Sequence, residues 1–151
     1  MNRNIELKAR MPSLESGHQV AQSMGAVSHG SERQCDTYFR VSQGRLKLRE
    51  RWPFYSSGSP QQPCASQLIW YHRPDDVPAR ASDYSLVVVE NGVQLRDMLA
   101  GSLGVVAEIK KLRAIYLHDH VRIHLDQVLG LGSFLEFEAM VDDTCDESNA
   151  R

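Results

Sequence analysis

Apolar and polar residues alternate along most of this chain, and in several segments the polar set is charged. Period-two alternation places successive side chains on opposite faces of a β-strand. Residues 3–10 (RNIELKAR) read as such a strand. Residues 33–41 (RQCDTYFRV) are rich in β-formers, and Gly44 marks the turn into 45–51 (RLKLRER). Further strands are predicted at 66–73, about 81–89, about 105–118, 121–128 and 133–141. His118-Asp119-His120 and Gly130-Leu131-Gly132 supply turns between the last three. Two segments break the alternation. Pro12-Ser13-Leu14 opens a helix with Val20 and Met24 on its apolar side, stopped near Gly25. Residues 93–103 form a second helix with Leu95, Met98, Leu99 and Leu103 on one side. Eight strands with short links and two helices predict an α+β fold, an eight-stranded antiparallel β-barrel with flanking helices, over a parallel α/β sheet.

The barrel is expected to occupy residues 1–141 as one domain. Residues 52–65 (WPFYSSGSPQQPCA) read as a flexible insertion within it, and the acidic segment 142–151 as a disordered tail. A net charge of −2 argues against a nucleic-acid partner, so any basic site is a local concentration offset by acids elsewhere. No apolar run approaches the ~20 residues that span a membrane, and the charged N-terminus is unlike a signal peptide. Cys35, Cys64 and Cys145 form no CxxC pair and are expected to be free thiols. These features predict a cytoplasmic protein without a membrane partner.

Charge parity sharpens the picture. Arg45, Lys47, Arg49 and Arg51 share one face of their strand, opposite Leu46, Leu48 and Glu50. Glu6, Lys8 and Arg10 fall together on the first strand, and Lys111 and Arg113 on the sixth. Arg122, His124 and Asp126 share a face of the seventh, and Glu136 and Glu138 of the eighth. Two readings fit: solvated faces laced with cross-strand ion pairs, or a barrel whose lumen is lined with charge. In the second, clustered cations suit a polyphosphate, because each phosphate oxygen takes a charge-assisted donor. Carboxylates beside them then call for a hard divalent cation, Mg²⁺ or Mn²⁺.

The residues that carry this pattern resemble the CYTH domain, the triphosphate tunnel metalloenzymes that include class IV adenylyl cyclases and thiamine triphosphatases. NIELKAR at 4–10 resembles the family's opening ExExK motif. QCDTYF at 34–39 with RLKLRER resembles its second and third strands, and EIKKLRAIYL at 108–117 with VRIHLDQVLGLGSFLEFE at 121–138 its last three. The resemblance implies metal-ligand roles for Glu6, Asp126 and Glu136, with Glu138 as a neighbouring candidate. It implies triphosphate contacts, and the catalytic grip, for Lys8, Lys111 and Arg113, with Lys47 and Arg49 beside them. Arg45, Arg73, Arg80 and Arg122 join the triphosphate-binding candidates on charge and parity. Asn4 stands where the motif has its first glutamate, and the chain stops soon after the eighth strand, where many relatives continue into a helix.

Three functions remain open on these residues. The leading one is class IV adenylate cyclase-like, converting ATP to 3′,5′-cyclic AMP and pyrophosphate. The second is hydrolysis of inorganic triphosphate, a nucleoside triphosphate or thiamine triphosphate. The third is a non-catalytic binder of nucleotide or polyphosphate. His124 shares the Asp126 face and reads either as a phosphate contact or proton relay, or as a structural histidine. His118 and His120 read as exposed turn residues, and Tyr38 and Tyr71 as residues of a tunnel mouth or of ordinary packing. A homodimer is compatible with an exposed barrel.

Overall fold

The computed structural model describes residues 2–53, 63, 65–72 and 79–141. The order of elements is β1 (Asn2–Arg10), α1 (Leu14–Ser23), β2 (Val27–Phe39), β3 (Arg45–Pro53), β4 (Ala65–His72), β5 (Ala79–Val89), α2 (Gly92–Leu103), β6 (Val105–His118), β7 (Val121–Val128) and β8 (Gly132–Val141). The strands close into an antiparallel barrel in the order β1-β5-β4-β3-β2-β6-β7-β8, with β8 pairing back onto β1. The expected architecture is therefore present. Arg73, the tail at 142–151 and residues 54–62 and 64 of the expected insertion lie outside the described residues, whereas Trp52 and Pro53 extend β3.

Closure leaves no sheet edge unpaired, and strict alternation gives every strand an inner and an outer face. This barrel reverses the usual distribution, placing its polar set inside and its apolar set outside. The outer faces of β6, β7 and β8 are capped by α1. There Ala21 of the helix packs on buried Tyr116, Ile123 and Leu125, with Leu135 and Phe137 at the margin. Ile123 and Leu125 are 0% and 1% exposed, and burying each contributes roughly 1.5–3 kcal/mol. Ser13 starts α1 by accepting a hydrogen bond from Ser16 N on its side-chain oxygen at 3.2 Å. Gly17 lies so close to the barrel that a Cβ would stand 2.9 Å from Leu125 Cδ2 and 2.6 Å from Met11 Sδ. Val20 and Met24, expected on the buried side of this helix, are 42% and 39% exposed. The contact runs instead along Gly17 and Ala21, whose small side chains let the helix sit close.

The second helix covers β2, β3 and β4. Asn91 caps it by accepting from Gln94 N at 3.0 Å, and Arg96 donates to the buried Glu50 carboxylate at 2.9 Å. Met98, expected on the apolar side, is 63% exposed, because the helix is anchored through Arg96 and through Gly92 against Ser66. Strand β2 begins six residues earlier than the sequence pattern suggested, at Val27 instead of residue 33. Its pairing with β6 shifts register between Ser28 and Ser31, where Gly30 adopts φ +83°. The irregular stretch hides the alternation on which a strand prediction depends.

Candidate active site

Every strand contributes inward side chains to one lumenal cavity of about 590 Å³. Its cations are Lys8 from β1, Lys47, Arg49 and Arg51 from β3, Lys111 and Arg113 from β6, and Arg122 from β7. Its carboxylates are Glu6, Glu32, Glu136 and Glu138. Alternation explains the convergence: residues two apart on a strand share a face, and closure turns one face of all eight strands inward. The charged-lumen reading of RLKLRER therefore holds for Lys47, Arg49 and Arg51, while Arg45 is exposed at the start of β3 and does not line the cavity. Arg80 stands opposite Glu6 in the β1–β5 register, and its side chain is outside the described part.

The basic wall is built on a carboxylate the sequence reading did not single out. Asp36, fully buried on β2, accepts from Arg49 Nε and Nη2 at 2.8 Å each and from Lys47 Nζ at 3.0 Å. Lys111 Nζ stands 3.9 Å from both Asp36 and Asp126. Burial opposes ionisation of Asp36, but Lys47 and Arg49 outweigh it and hold its acidity well below the usual carboxylate range. Burial, then the Arg113 charge, pushes Lys111 down to about 7. A further pair joins Arg51 to Glu32, with Nη2 to Oε1 at 2.7 Å, and Gln34 donates to the same carboxylate at 3.0 Å. Glu32, Gln34 and Asp36 form a further alternating polar set, of which Gln34 and Asp36 already lay within the predicted strand and Glu32 just upstream of it.

Asp126, an expected metal ligand, is placed in an ion pair beside the acidic wall. Asp126 accepts the Arg113 fork on both oxygens at 2.8 Å, is 1% exposed and does not line the cavity. Both of its oxygens are taken up in holding the Arg113 guanidinium, which does line the cavity. The ligand atoms brought together are those of His124, Glu136 and Glu138, all within 4.8 Å of one another. Glu6 faces Glu138 across the β1–β8 pairing. Burial, then the charges of Glu136 and Glu6, pushes the Glu138 carboxyl up. Burial also opposes ionisation of Glu136, but the His124 hydrogen bond at 2.9 Å, Arg113 and Lys8 keep it ionised well below its ordinary range. Asn4, in the first ExExK position, is buried with Oδ1 lacking a hydrogen-bond partner, while its Nδ2 donates to Glu6 Oε1 at 3.3 Å. Crowded carboxylates beside an unused amide oxygen fit a hard divalent cation. Lys8 stands 3.5 Å from Glu136, and Arg122 3.8 Å from Glu138.

The cavity is not wholly charged: Tyr38, Ile69, Tyr71, Tyr84 and Leu86 line it as well. Lys47 Nζ lies 5.5 Å from the ring centres of both Tyr38 and Tyr71, a cation–π arrangement. Both tyrosines therefore belong to the lumen, as one of their two readings held. His118 is 42% exposed on its side chain beside Asp119, whose φ of 54° makes the turn. Among the described residues no helix is long and apolar enough to cross a membrane.

Solved structures share this fold. The PH1012 protein from Pyrococcus horikoshii OT3 superposes with a TM-score of 0.76 at 23% identity, over 95% of this chain and 80% of that one. A structure described as a "putative adenylate cyclase" from Vibrio parahaemolyticus gives 0.68 at 21% identity, over 96% and 78%. A Hippeastrum protein described as a "putative adenylyl cyclase" with a dominant triphosphatase activity gives 0.62 at 12% identity, over 95% and 81%. No curated protein matches the sequence significantly. The profile of the CYTH domain matches residues 2–150, and with the charged barrel in place the chain belongs to that family.

Proposed function

We propose that this protein is a metal-dependent enzyme that takes a triphosphate into the barrel, with conversion of ATP to 3′,5′-cyclic AMP and pyrophosphate as its leading reaction. The observation that carries this reading is the division of the cavity into a cationic wall seated on Asp36 and Asp126 and a carboxylate wall of Glu6, Glu136 and Glu138. Lys47, Arg49, Arg51, Lys111 and Arg113 grip phosphate oxygens, and their buried acidic partners hold them in a fixed array before the ligand arrives. Mg²⁺ or Mn²⁺ on the carboxylate wall supplies further neutralisation of phosphate charge. Lys8 and Arg122, paired with Glu136 and Glu138 here, are free to turn towards phosphate once those carboxylates are otherwise engaged. Cyclisation forms a bond from the ribose 3′-oxygen to the α-phosphorus, breaks the bond to the β-phosphate bridging oxygen and releases the 3′-hydroxyl proton. Catalysis on this reading is positioning plus electrostatics.

Tyr38, Ile69, Tyr71, Tyr84 and Leu86 favour a substrate with an organic portion over inorganic triphosphate, since aromatic and aliphatic surface is wasted on phosphate alone. The second reading, hydrolysis of a triphosphate in the same cavity, is favoured by the triphosphatase activity in the description of the Hippeastrum relative. Purified protein incubated with ATP and Mg²⁺ or Mn²⁺ separates them. Cyclic AMP with pyrophosphate supports the cyclase, orthophosphate alone sinks it in favour of the triphosphatase, and binding without turnover leaves a nucleotide-binding protein.

A further inference from the structure

The carboxylate wall carries a nitrogen donor. His124 on β7 stands opposite Glu136 on β8 in register, with Glu138 two residues along the same inward face. His124 Nδ1 lies 2.9 Å from Glu136 Oε1, and each of the three side chains offers an atom to a group spanning no more than 4.8 Å. Two adjacent ligands at ~2.1 Å from one ion are themselves about 3.0 Å apart. The imidazole and carboxylate are already at that spacing, with a proton occupying the place an ion would take. Asp126, the acidic residue of β7, has both oxygens committed to Arg113 at 2.8 Å.

An independent observation points to the same wall. Asn4 is 6% exposed, lines the cavity and has no hydrogen-bond partner for Oδ1. Its amide nitrogen is tied to Glu6, which faces Glu138 across the β1–β8 pairing. A buried acceptor left open beside an acidic cluster awaits a cation or a water bound to one.

We infer that His124 is a metal ligand, so that the divalent cation of this barrel sits on one imidazole nitrogen with Glu136 and Glu138, and Asn4 Oδ1 faces the ion or its water. The assignment rests on the metal–triphosphate reading above and deepens it. Its chemical consequence is selectivity: a borderline nitrogen donor shifts preference from Mg²⁺ towards Mn²⁺ and the later divalent metals, whereas an all-oxygen wall favours neither strongly. Asn4 acts in the same direction, since a neutral oxygen in place of a carboxylate removes charge on which Mg²⁺ depends most.

The test is electron spin echo spectroscopy of the full chain loaded with Mn²⁺ and inorganic triphosphate in a nitrogen-free buffer. Directly coordinated ¹⁴N modulation is expected in the unaltered protein and is expected to vanish in His124→Gln. Mn²⁺ affinity in that variant should fall by at least about tenfold relative to Mg²⁺ affinity. Mn²⁺ bound without nitrogen modulation, or modulation that persists in His124→Gln, overturns the ligand assignment while leaving metal-dependent turnover standing. Failure to bind Mn²⁺ with or without triphosphate overturns both readings. The spectrum of the unaltered protein decides by itself should the variant not fold.

Discussion

Replacing Asp36 with asparagine removes one negative charge and almost no volume from the seat of the cationic wall. The carboxylate accepts three hydrogen bonds, two from Arg49 and one from Lys47, and has Lys111 3.9 Å away. In Asp36→Asn an amide NH₂ must face cations that had been neutralised, and no water reaches the position, since Asp36 is fully buried. Breaking a buried ion pair from one side costs about 3–5 kcal/mol. At roughly 2–4 °C per kcal/mol for a domain of this size, the melting temperature should fall by about 6–20 °C. The same substitution leaves the wall with surplus positive charge, so inorganic triphosphate should restore more stability to the variant than to the unaltered protein. Thermal unfolding followed by circular dichroism, with and without saturating triphosphate, reads both effects. A drop of less than about 2 °C would show that the cations hold their positions without Asp36. An equal or smaller triphosphate increment in the variant would refute the claim that ligand and Asp36 neutralise the same groups.

Lys111, lowered from 10.5 to about 7 by burial and then by Arg113, should carry a measurable proton linkage. Between those values the unfolded chain holds a proton that the native state has lost, so this residue makes stability rise with pH across the window, and below it the full cost of the buried charge is present. Triphosphate favours the charged lysine, so binding at pH 8 should take up protons; calorimetry in buffers of different ionisation heat detects this, and uptake unchanged in Lys111→Arg would assign it elsewhere. In Gly92→Ala the new Cβ would stand 2.2 Å from Ser66 Oγ, so a loss of about 1–3 kcal/mol is expected in urea unfolding; an unchanged midpoint would mean that α2 shifts without cost. Burial, then Glu108 and Glu50, pushes the Cys35 thiol up to about 11. A thiol reagent at pH 8 should therefore titrate as many groups in the native Cys35→Ser variant as in the unaltered chain, and one fewer would show that Cys35 is reactive.

Much of the barrel was legible because its alternation is strong and local. RLKLRER and VRIHLDQV sort charged and apolar residues onto opposite faces within a few residues, and the turns between the last three strands are marked by Asp119 and the glycines at 130 and 132. The start of β2 was not, because the register shift between Ser28 and Ser31 breaks the period there. The helix faces were misjudged for a related reason. Large apolar residues such as Val20 and Met98 drew the apolar side, whereas close approach to the sheet is made through Gly17, Ala21 and Gly92, residues that carry little signal of their own.

The division within the site has a plain physical origin. Parity along each strand established which side chains travel together, and so selected Lys47, Arg49, Lys111, Arg113, Glu136 and Glu138 before any pairing of strands was known. Parity cannot say which of two acids of like charge meets a cation, because that depends on cross-strand register and on the depth of each residue in the barrel. The registers of the β6–β7 and β7–β8 hairpins put Asp126 opposite Arg113 and His124 opposite Glu136. One aspartate thereby became the anchor of an arginine, and the adjacent histidine was turned towards the carboxylate wall. Asp36, buried beneath the cationic array, owes its role to the β2–β3 register that sets it opposite Arg49, and to the β2–β6 pairing that brings Lys111, distant in the chain, to 3.9 Å.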